Sequence, residues 1–135
     1  MDGEKGGNMG NAYIHESVEQ TCLFRWAGYM MGKYPELKLM FHIPNGGKRN
    51  KKEAANLKMQ GVKAGVPDIC LPVARGKWHS LYIEMKVGKN KCSDAQKEWI
   101  ADLTRENNMA VVCYGWEAAS KVIEDYLGYG KEIKG

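Results

Sequence analysis

Apolar and polar residues alternate along Ser80-Leu81-Tyr82-Ile83-Glu84-Met85-Lys86, and a period of two is the signature of a β-strand. Such a strand places Leu81, Ile83 and Met85 on one face and Glu84 with Lys86 on the other. Upstream, Asp68-Ile69-Cys70-Leu71 is a second β-prone run, and Arg75-Gly76-Lys77 between them supplies a hairpin turn. Gly76 lies midway between Asp68 and Glu84. Pairing symmetric about it sets the two acids directly opposite each other, with Cβ atoms about 4.5 to 5.5 Å apart.

Other segments repeat at helical spacing. Ile14, Val18, Cys22, Trp26 and Met30 predict an amphipathic helix from Ala12 to about Lys33, ended near Gly32 and Pro35. Leu37 to Ile43 reads as a strand. A basic helix from about Lys51 to Met59 stops at Gly61. Ser93 is a good N-cap followed by Asp94, and Ala95, Trp99, Ile100 and Leu103 mark the apolar stripe of a helix ending near Asn107-Asn108. Met109 to Tyr114 predicts a buried strand. Gly115 then turns the chain into a last helix with Ala118, Val122, Ile123 and Tyr126 facing inward. The expected organisation is a single α/β domain over residues 12–128, with mobile tails at 1–11 and 129–135.

Composition fits one domain with a real core: 135 residues, 44% of them hydrophobic, with four Trp and seven Tyr. No stretch approaches a membrane span, and the polar, Gly-rich segment from Met1 to Asn11 lacks the apolar run of a secretory signal. An intracellular protein is expected, in the cytoplasm of a bacterial cell or of a host if viral. Cys22, Cys70, Cys92 and Cys113 lie far apart without a Cys-x-x-Cys pair, so reduced thiols are expected rather than disulfides or zinc.

A net charge of +4 says little by itself. Its distribution says more. Lys48, Arg49, Lys51 and Lys52 form one cluster, followed by Lys58 and Lys63, and Lys86, Lys89 and Lys91 form another. A charge run alone is usually a solvated helix face. The first cluster, however, follows His42-Ile43-Pro44-Asn45-Gly46-Gly47, where glycines let backbone amides approach a phosphate closely. The alternative for Asn45-Gly46-Gly47 is a plain tight turn.

Glu and Lys two apart on a strand also have a plain explanation, the wet face of an antiparallel sheet. Two facing carboxylates nevertheless repel unless a cation neutralises them, and a hard divalent ion such as Mg²⁺ prefers oxygen ligands of this kind. Asp68 and Glu84 are therefore candidate metal ligands.

The order of these parts resembles the VRR-NUC (virus-type replication-repair nuclease) family of the PD-(D/E)xK superfamily. The resemblance spans roughly His15 to Leu127. It rests on Glu16-Ser17-Val18-Glu19-Gln20, Pro44-Asn45-Gly46-Gly47, Gly65-Val66-Pro67-Asp68, Ile83-Glu84-Met85-Lys86 and Ser93-Asp94-Ala95-Gln96. It implies a restriction-endonuclease-like core, a central mixed β-sheet flanked by helices. It also implies that Asp68, Glu84, Glu16 and the backbone carbonyl of Met85 hold Mg²⁺ or Mn²⁺, and that Lys86 is the catalytic lysine. Gln96 matches a family glutamine directed toward Lys86 or the scissile phosphate. Glu19 rivals Glu16 one turn away, and the spacing from Glu16 to Gln20 favours Glu16.

The resulting expectation is a metal-dependent, structure-selective DNA endonuclease. Asn45, Gly46, Gly47, Lys48, Arg49, Lys51, Lys52, Gln20, Lys89 and Lys91 would contact the DNA backbone, which carries no sequence readout. Small stand-alone members resemble Holliday-junction resolvases acting as homodimers, and two symmetric cuts in a four-way junction need two sites. The alternatives are a flap or end-processing repair nuclease, or a non-catalytic DNA-binding accessory protein with the same fold.

Overall fold

The structure, a computed structural model, describes residues 9–44 and 50–130, with side chains from His15 onward. Among these, helices α1 (Met9–Met30), α2 (Lys51–Met59), α3 (Asp94–Arg105) and α4 (Trp116–Leu127) flank strands β1 (Phe41–His42), β2 (Ile69–Leu71), β3 (Leu81–Lys86) and β4 (Met109–Tyr114). The sheet order is β1-β2-β3-β4, antiparallel as far as β3 and parallel between β3 and β4. The parallel step needs a crossover, and α3 supplies it. This is the mixed α/β architecture expected. No helix among the described residues is long and apolar enough to cross a membrane.

The hairpin register follows the alternation. Ile69 pairs with Ile83, Cys70 with Tyr82 and Leu71 with Leu81, a ladder centred on Gly76. The turn itself is the two-residue loop Gly76-Lys77, closed by a bridge between Arg75 and Trp78 one residue out of step with the ladder, and residues 72–74 opposite 79–80 take up the difference. The Gly76 φ of +55° is the conformation that the first position of a type II′ turn requires.

Ile69, Leu71, Leu81, Ile83 and Met85 all point to one side, where Leu23 and Ala27 of α1 and Ala119, Ile123, Tyr126 and Leu127 of α4 cover them. The opposite face carries Asp68, Glu84 and Lys86, with α3 above it.

Four expectations need correction. Leu37 to Ile43 is not one strand: Pro35 starts a 3₁₀ helix, Pro35–Leu39, and only Phe41–His42 joins the sheet. Proline's fixed φ suits a helix start, and Leu37 anchors the turn in the core at 2% exposure. The inward face of α1 centres on Leu23 and Ala27, while Val18 is 53% exposed. Steps of four residues drift about 40° each on a helix of 3.6 residues per turn, so the predicted line wanders off the buried face. In α4 the inward alanine is Ala119, and Ala118 is exposed. Helix α1 also begins at Met9, three residues before the predicted start.

The helix stops agree with the predicted ends. After α2, Gly61 N–H donates to Lys58 O and Val62 N–H to Leu57 O; after α3, Asn107 and Asn108 repeat the pattern onto Thr104 and Leu103. These are Schellman closures, with Gly61 and Asn107 at positive φ.

Beneath the turn, Arg75 is 6% exposed. Its guanidinium donates to Glu36, to Ala74 O and to Leu127 O, tying the hairpin to the 3₁₀ helix and to α4. Glu36→Ala leaves that buried cation with carbonyl partners only and is expected to lower stability by about 2 kcal/mol. Urea melts check this, and an unchanged midpoint would assign the pair no structural weight.

Candidate active site

Extending the hairpin ladder past Ile69 and Ile83 sets Asp68 opposite Glu84 and Pro67 opposite Met85. Pro67 has no N–H to donate. Met85 N–H therefore donates to the Asp68 carboxylate, 2.8 Å to Oδ2, which fixes that side chain at the strand end. A residue's N–H and C=O point toward the same neighbouring strand, so the Met85 carbonyl faces proline and receives no ladder hydrogen bond from it. The register thus brings two carboxylates together beside the backbone of Met85.

A solvated sheet face would leave Glu84 and Lys86 wet. They are 2% and 7% exposed. Lys86 Nζ lies 3.3 Å from Glu84 Oε2, and Gln96 Nε2 donates to the same oxygen at 3.0 Å. Glu84 Oε1 has no hydrogen-bond partner, the one such buried side-chain atom among the described residues. Burial, and next the charge of Asp68, push the Glu84 carboxyl up to about 8 against the pull of Lys86. Burial also raises Asp68, opposed by Met85 N–H, His42 and Lys86. Two raised, neighbouring carboxyls with an orphaned oxygen are the electrostatic profile of a cation site. Hard oxygen donors fit Mg²⁺ or Mn²⁺.

Gln96 has two tasks. Its Oε1 accepts from Ser93 N–H at 2.9 Å while Ser93 Oγ accepts from Gln96 N–H at 3.2 Å, a capping box at the start of α3. The cap turns the amide's N–H toward the sheet. It therefore reaches Glu84, not Lys86 as one of the expected directions had it.

The two glutamates of α1 go to different places. Glu19 Oε1 accepts from Trp116 N–H at 2.8 Å, capping α4 where Gly115 offers no side chain. Glu16 Oε2 accepts from Asn90 Nδ2 at 3.2 Å, in the loop after β3. Among the described residues no third His, Cys, Asp or Glu joins Asp68 and Glu84 in a metal-holding group, so Glu16 is not brought together with them. Gln20 is half-buried, one turn further along α1.

Of the expected DNA contacts, Lys51, Lys52, Lys89 and Lys91 are exposed. Asn45, Gly46, Gly47, Lys48 and Arg49 lie outside the described residues. Lys86 does not belong to the basic surface with which the charge pattern grouped it, since it is buried under the acids. The cysteines are all free, with Cys70 and Cys113 buried.

Sequence reasoning passed over His42 and Asn90. His42 Nδ1–H donates to Asp68 O at 2.8 Å, and Ile43 N–H donates to the same carbonyl at 2.7 Å. The β1–β2 register, His42 against Ile69, brings it there. The available signal was its place just before the Pro44-Asn45-Gly46-Gly47 turn.

A mixed sheet whose hairpin sets Asp68 against Glu84-Met85-Lys86 defines a nuclease of the PD-(D/E)xK type. The model of the VRR-NUC domain family matches residues 31–117. A solved structure described as a VRR_NUC domain protein is 36% identical, with a TM-score of 0.73 over 85% of this chain and 89% of that one. No curated protein matches. The chain belongs to the VRR-NUC family, and DNA is the substrate that membership implies. The match with the family model begins after α1, so Glu16, Glu19 and Gln20 lie outside it.

Proposed function

We propose that this nuclease is a divalent-metal-dependent, structure-selective DNA endonuclease, a Holliday-junction resolvase acting as a homodimer. One observation carries the metal dependence: buried Glu84, with an unpartnered Oε1, beside Asp68. Asp68, Glu84 and the Met85 carbonyl would hold Mg²⁺ or Mn²⁺, with Glu16 approaching from α1. The bound ion supplies polarisation of the scissile phosphate and an acidified water.

The chain's own side chains do the rest. Lys86 places a compact positive charge beside the acids, where it orients the attacking water and offsets charge developing on the phosphate. Gln96 holds Glu84 in one rotamer and competes for Oε2 only, leaving Oε1 open. Exposed Lys51, Lys52, Lys89 and Lys91, with Asn45 to Arg49, are backbone-contact groups that carry no sequence readout, which favours selection by DNA shape. Paired cuts across a junction need two sites, and a two-fold dimer provides them.

The test compares a four-way junction, a flap and a linear duplex, each with Mg²⁺, with Mn²⁺ and with chelator. Paired, symmetric nicks in the junction, dependent on metal and accompanied by a dimer in sedimentation, are expected. Preferential cutting of the flap or duplex would assign the protein to end processing instead. Tight binding without turnover under any metal would leave an accessory DNA-binding role.

A further inference from the structure

Beside the acids, α3 and β4 leave a groove of about 480 Å³, within the roughly 300–1,000 Å³ range of ligand sites. Its floor is Val112 with Ile100 and Ala101, Tyr114 forms one wall, and Lys91 and Lys97 stand at the rim. The groove belongs to the face that does the chemistry. In the parallel β3–β4 ladder, Val112 is the register partner of Glu84 and Tyr114 that of Lys86, so floor and wall begin one strand away from the proposed catalytic pair.

Tyr114 is 50% exposed, yet it is held: its hydroxyl donates to Asn90 O at 2.8 Å, and Asn90 in turn donates to Glu16. A half-exposed tyrosine is thus held in place by its hydroxyl. Helix α3 contains no fully buried residue, which leaves its apolar side partly open over the groove. Lys91 and Lys97 are exposed and have no salt-bridge partner among the described residues.

We propose that this groove is a nucleobase subsite, taking the base of a nucleotide flanking the scissile phosphate, stacked on Tyr114, with Lys91 and Lys97 against its phosphates. The chemistry selects the occupant. An apolar lining beside a half-exposed tyrosine suits a base, unpaired lysines suit anions, and a nucleotide carries both within a few ångströms. The groove begins one strand from Glu84 and Lys86, on the same face of the sheet. The proposal rests on the nuclease reading, and it adds a requirement to it: the flanking base leaves its stack, which costs least at a junction, a mismatch or a single strand. Structure selectivity would then arise partly in this groove.

The experiment titrates the full-length protein, in chelator, into single-stranded DNA carrying 2-aminopurine, following fluorescence and anisotropy. Unsubstituted protein is expected to quench the probe. Tyr114→Leu is expected to lose quenching and to weaken binding roughly 5- to 150-fold, the range for one base–aromatic stack, while Tyr114→Trp retains both. Lys97→Ala is expected to keep the quenching but to lower the slope of log K against log salt by about 0.7, one single-strand phosphate contact. Ala101→Leu, which fills the groove from the exposed side of α3 without adding an aromatic ring, serves if Tyr114→Leu does not fold and is expected to weaken quenching. Undiminished affinity and quenching in Tyr114→Leu and Ala101→Leu overturns the proposal. The nuclease reading fails separately, if unsubstituted protein cuts no DNA with any divalent metal.

Discussion

Glu84→Gln is expected to reduce metal-dependent cleavage by at least roughly 10³-fold and, at the same time, to flatten the pH dependence of the metal-free protein's stability. Both effects come from one buried carboxyl. Folding raises Glu84 from its ordinary 4.5 to about 8, chiefly by burial and then by the charge of Asp68. Between those values the folded state holds a proton that the unfolded state has released, so ∂ΔG/∂pH of unfolding is negative. Stability is therefore full below about pH 4.5 and falls as pH rises toward 8. Asp68 is shifted in the same direction and adds to the slope. The expected loss between pH 5 and pH 8 is on the order of a few kcal/mol. Gln cannot ionise, so the substituted chain should lose much less. Saturating Mg²⁺ should restore the unsubstituted protein at pH 8 by mass action and leave Glu84→Gln nearly unchanged. Urea melts at three pH values, with and without metal, read all four quantities. A flat profile in the metal-free unsubstituted protein would falsify the account of Glu84.

The same chemistry explains why the acids were legible in the sequence. A period of two fixes which residues share a face, and the short hairpin brings Asp68 to Glu84, although the turn pairs Arg75 with Trp78 and an extra residue among 72–74 is what restores the register centred on Gly76. Caps are equally local: Ser93, Asn107 and Gly61 each mark a helix end through hydrogen bonds that span a few residues. The errors arose where local pattern was degenerate. The apolar run after Pro35 reads alike as a strand or as a turn of 3₁₀ helix, and only the burial of Leu37 decides. Ala118 and Ala119 are adjacent and identical, so nothing local says which faces the sheet. Along α1 several apolar residues beside the predicted line compete for the core face, and packing against β3 and α4 chooses Leu23 and Ala27.

Within the site, the unreadable parts depended on distant partners. Only the spacing to Gln20 separated Glu16 from Glu19 in the sequence, whereas in the fold the α4 N-terminus, 97 residues further along the chain, claims Glu19. That leaves Glu16 as the α1 acid directed to the loop beside the hairpin. Lys86 looked like part of a basic patch because charge counting ignores burial. Gln96 was recognised, yet its target followed from the capping box, which commits Oε1 to Ser93 and turns the N–H to Glu84.

Gly65 shows how closely the site depends on backbone packing. Its φ is +89°, and a Cβ there would lie 2.8 Å from the carbonyl carbon and from Cβ of Ala95 and 2.9 Å from its oxygen. These are atoms of the first turn of α3, one residue before Gln96. The loop is held against that helix by Trp99, whose Nε1–H donates to Ala64 O at 3.1 Å. Gly65 stands three residues before Asp68, so one contact sets the distance between the loop bearing the first acid and the helix bearing Gln96. Gly65→Ala is expected to cost about 2 to 4 kcal/mol, from the strained φ together with overpacking. It should also lower kcat/KM by about 10²-fold, because displacing the loop by even part of an ångström separates Asp68 from the Glu84–Gln96 pair. Two further variants separate the causes. Gly65→Asn tolerates positive φ better than alanine, so equal or greater damage from it assigns the loss to the clash. Adding Ala95→Gly to Gly65→Ala removes only the Cβ contact and should recover part of the stability, since the backbone carbon and oxygen still obstruct. Thermal melts and cleavage rates on the same preparations provide the comparison, and Gly65→Ala protein that melts and cuts like the unsubstituted chain would show that the loop can move without disturbing the acids.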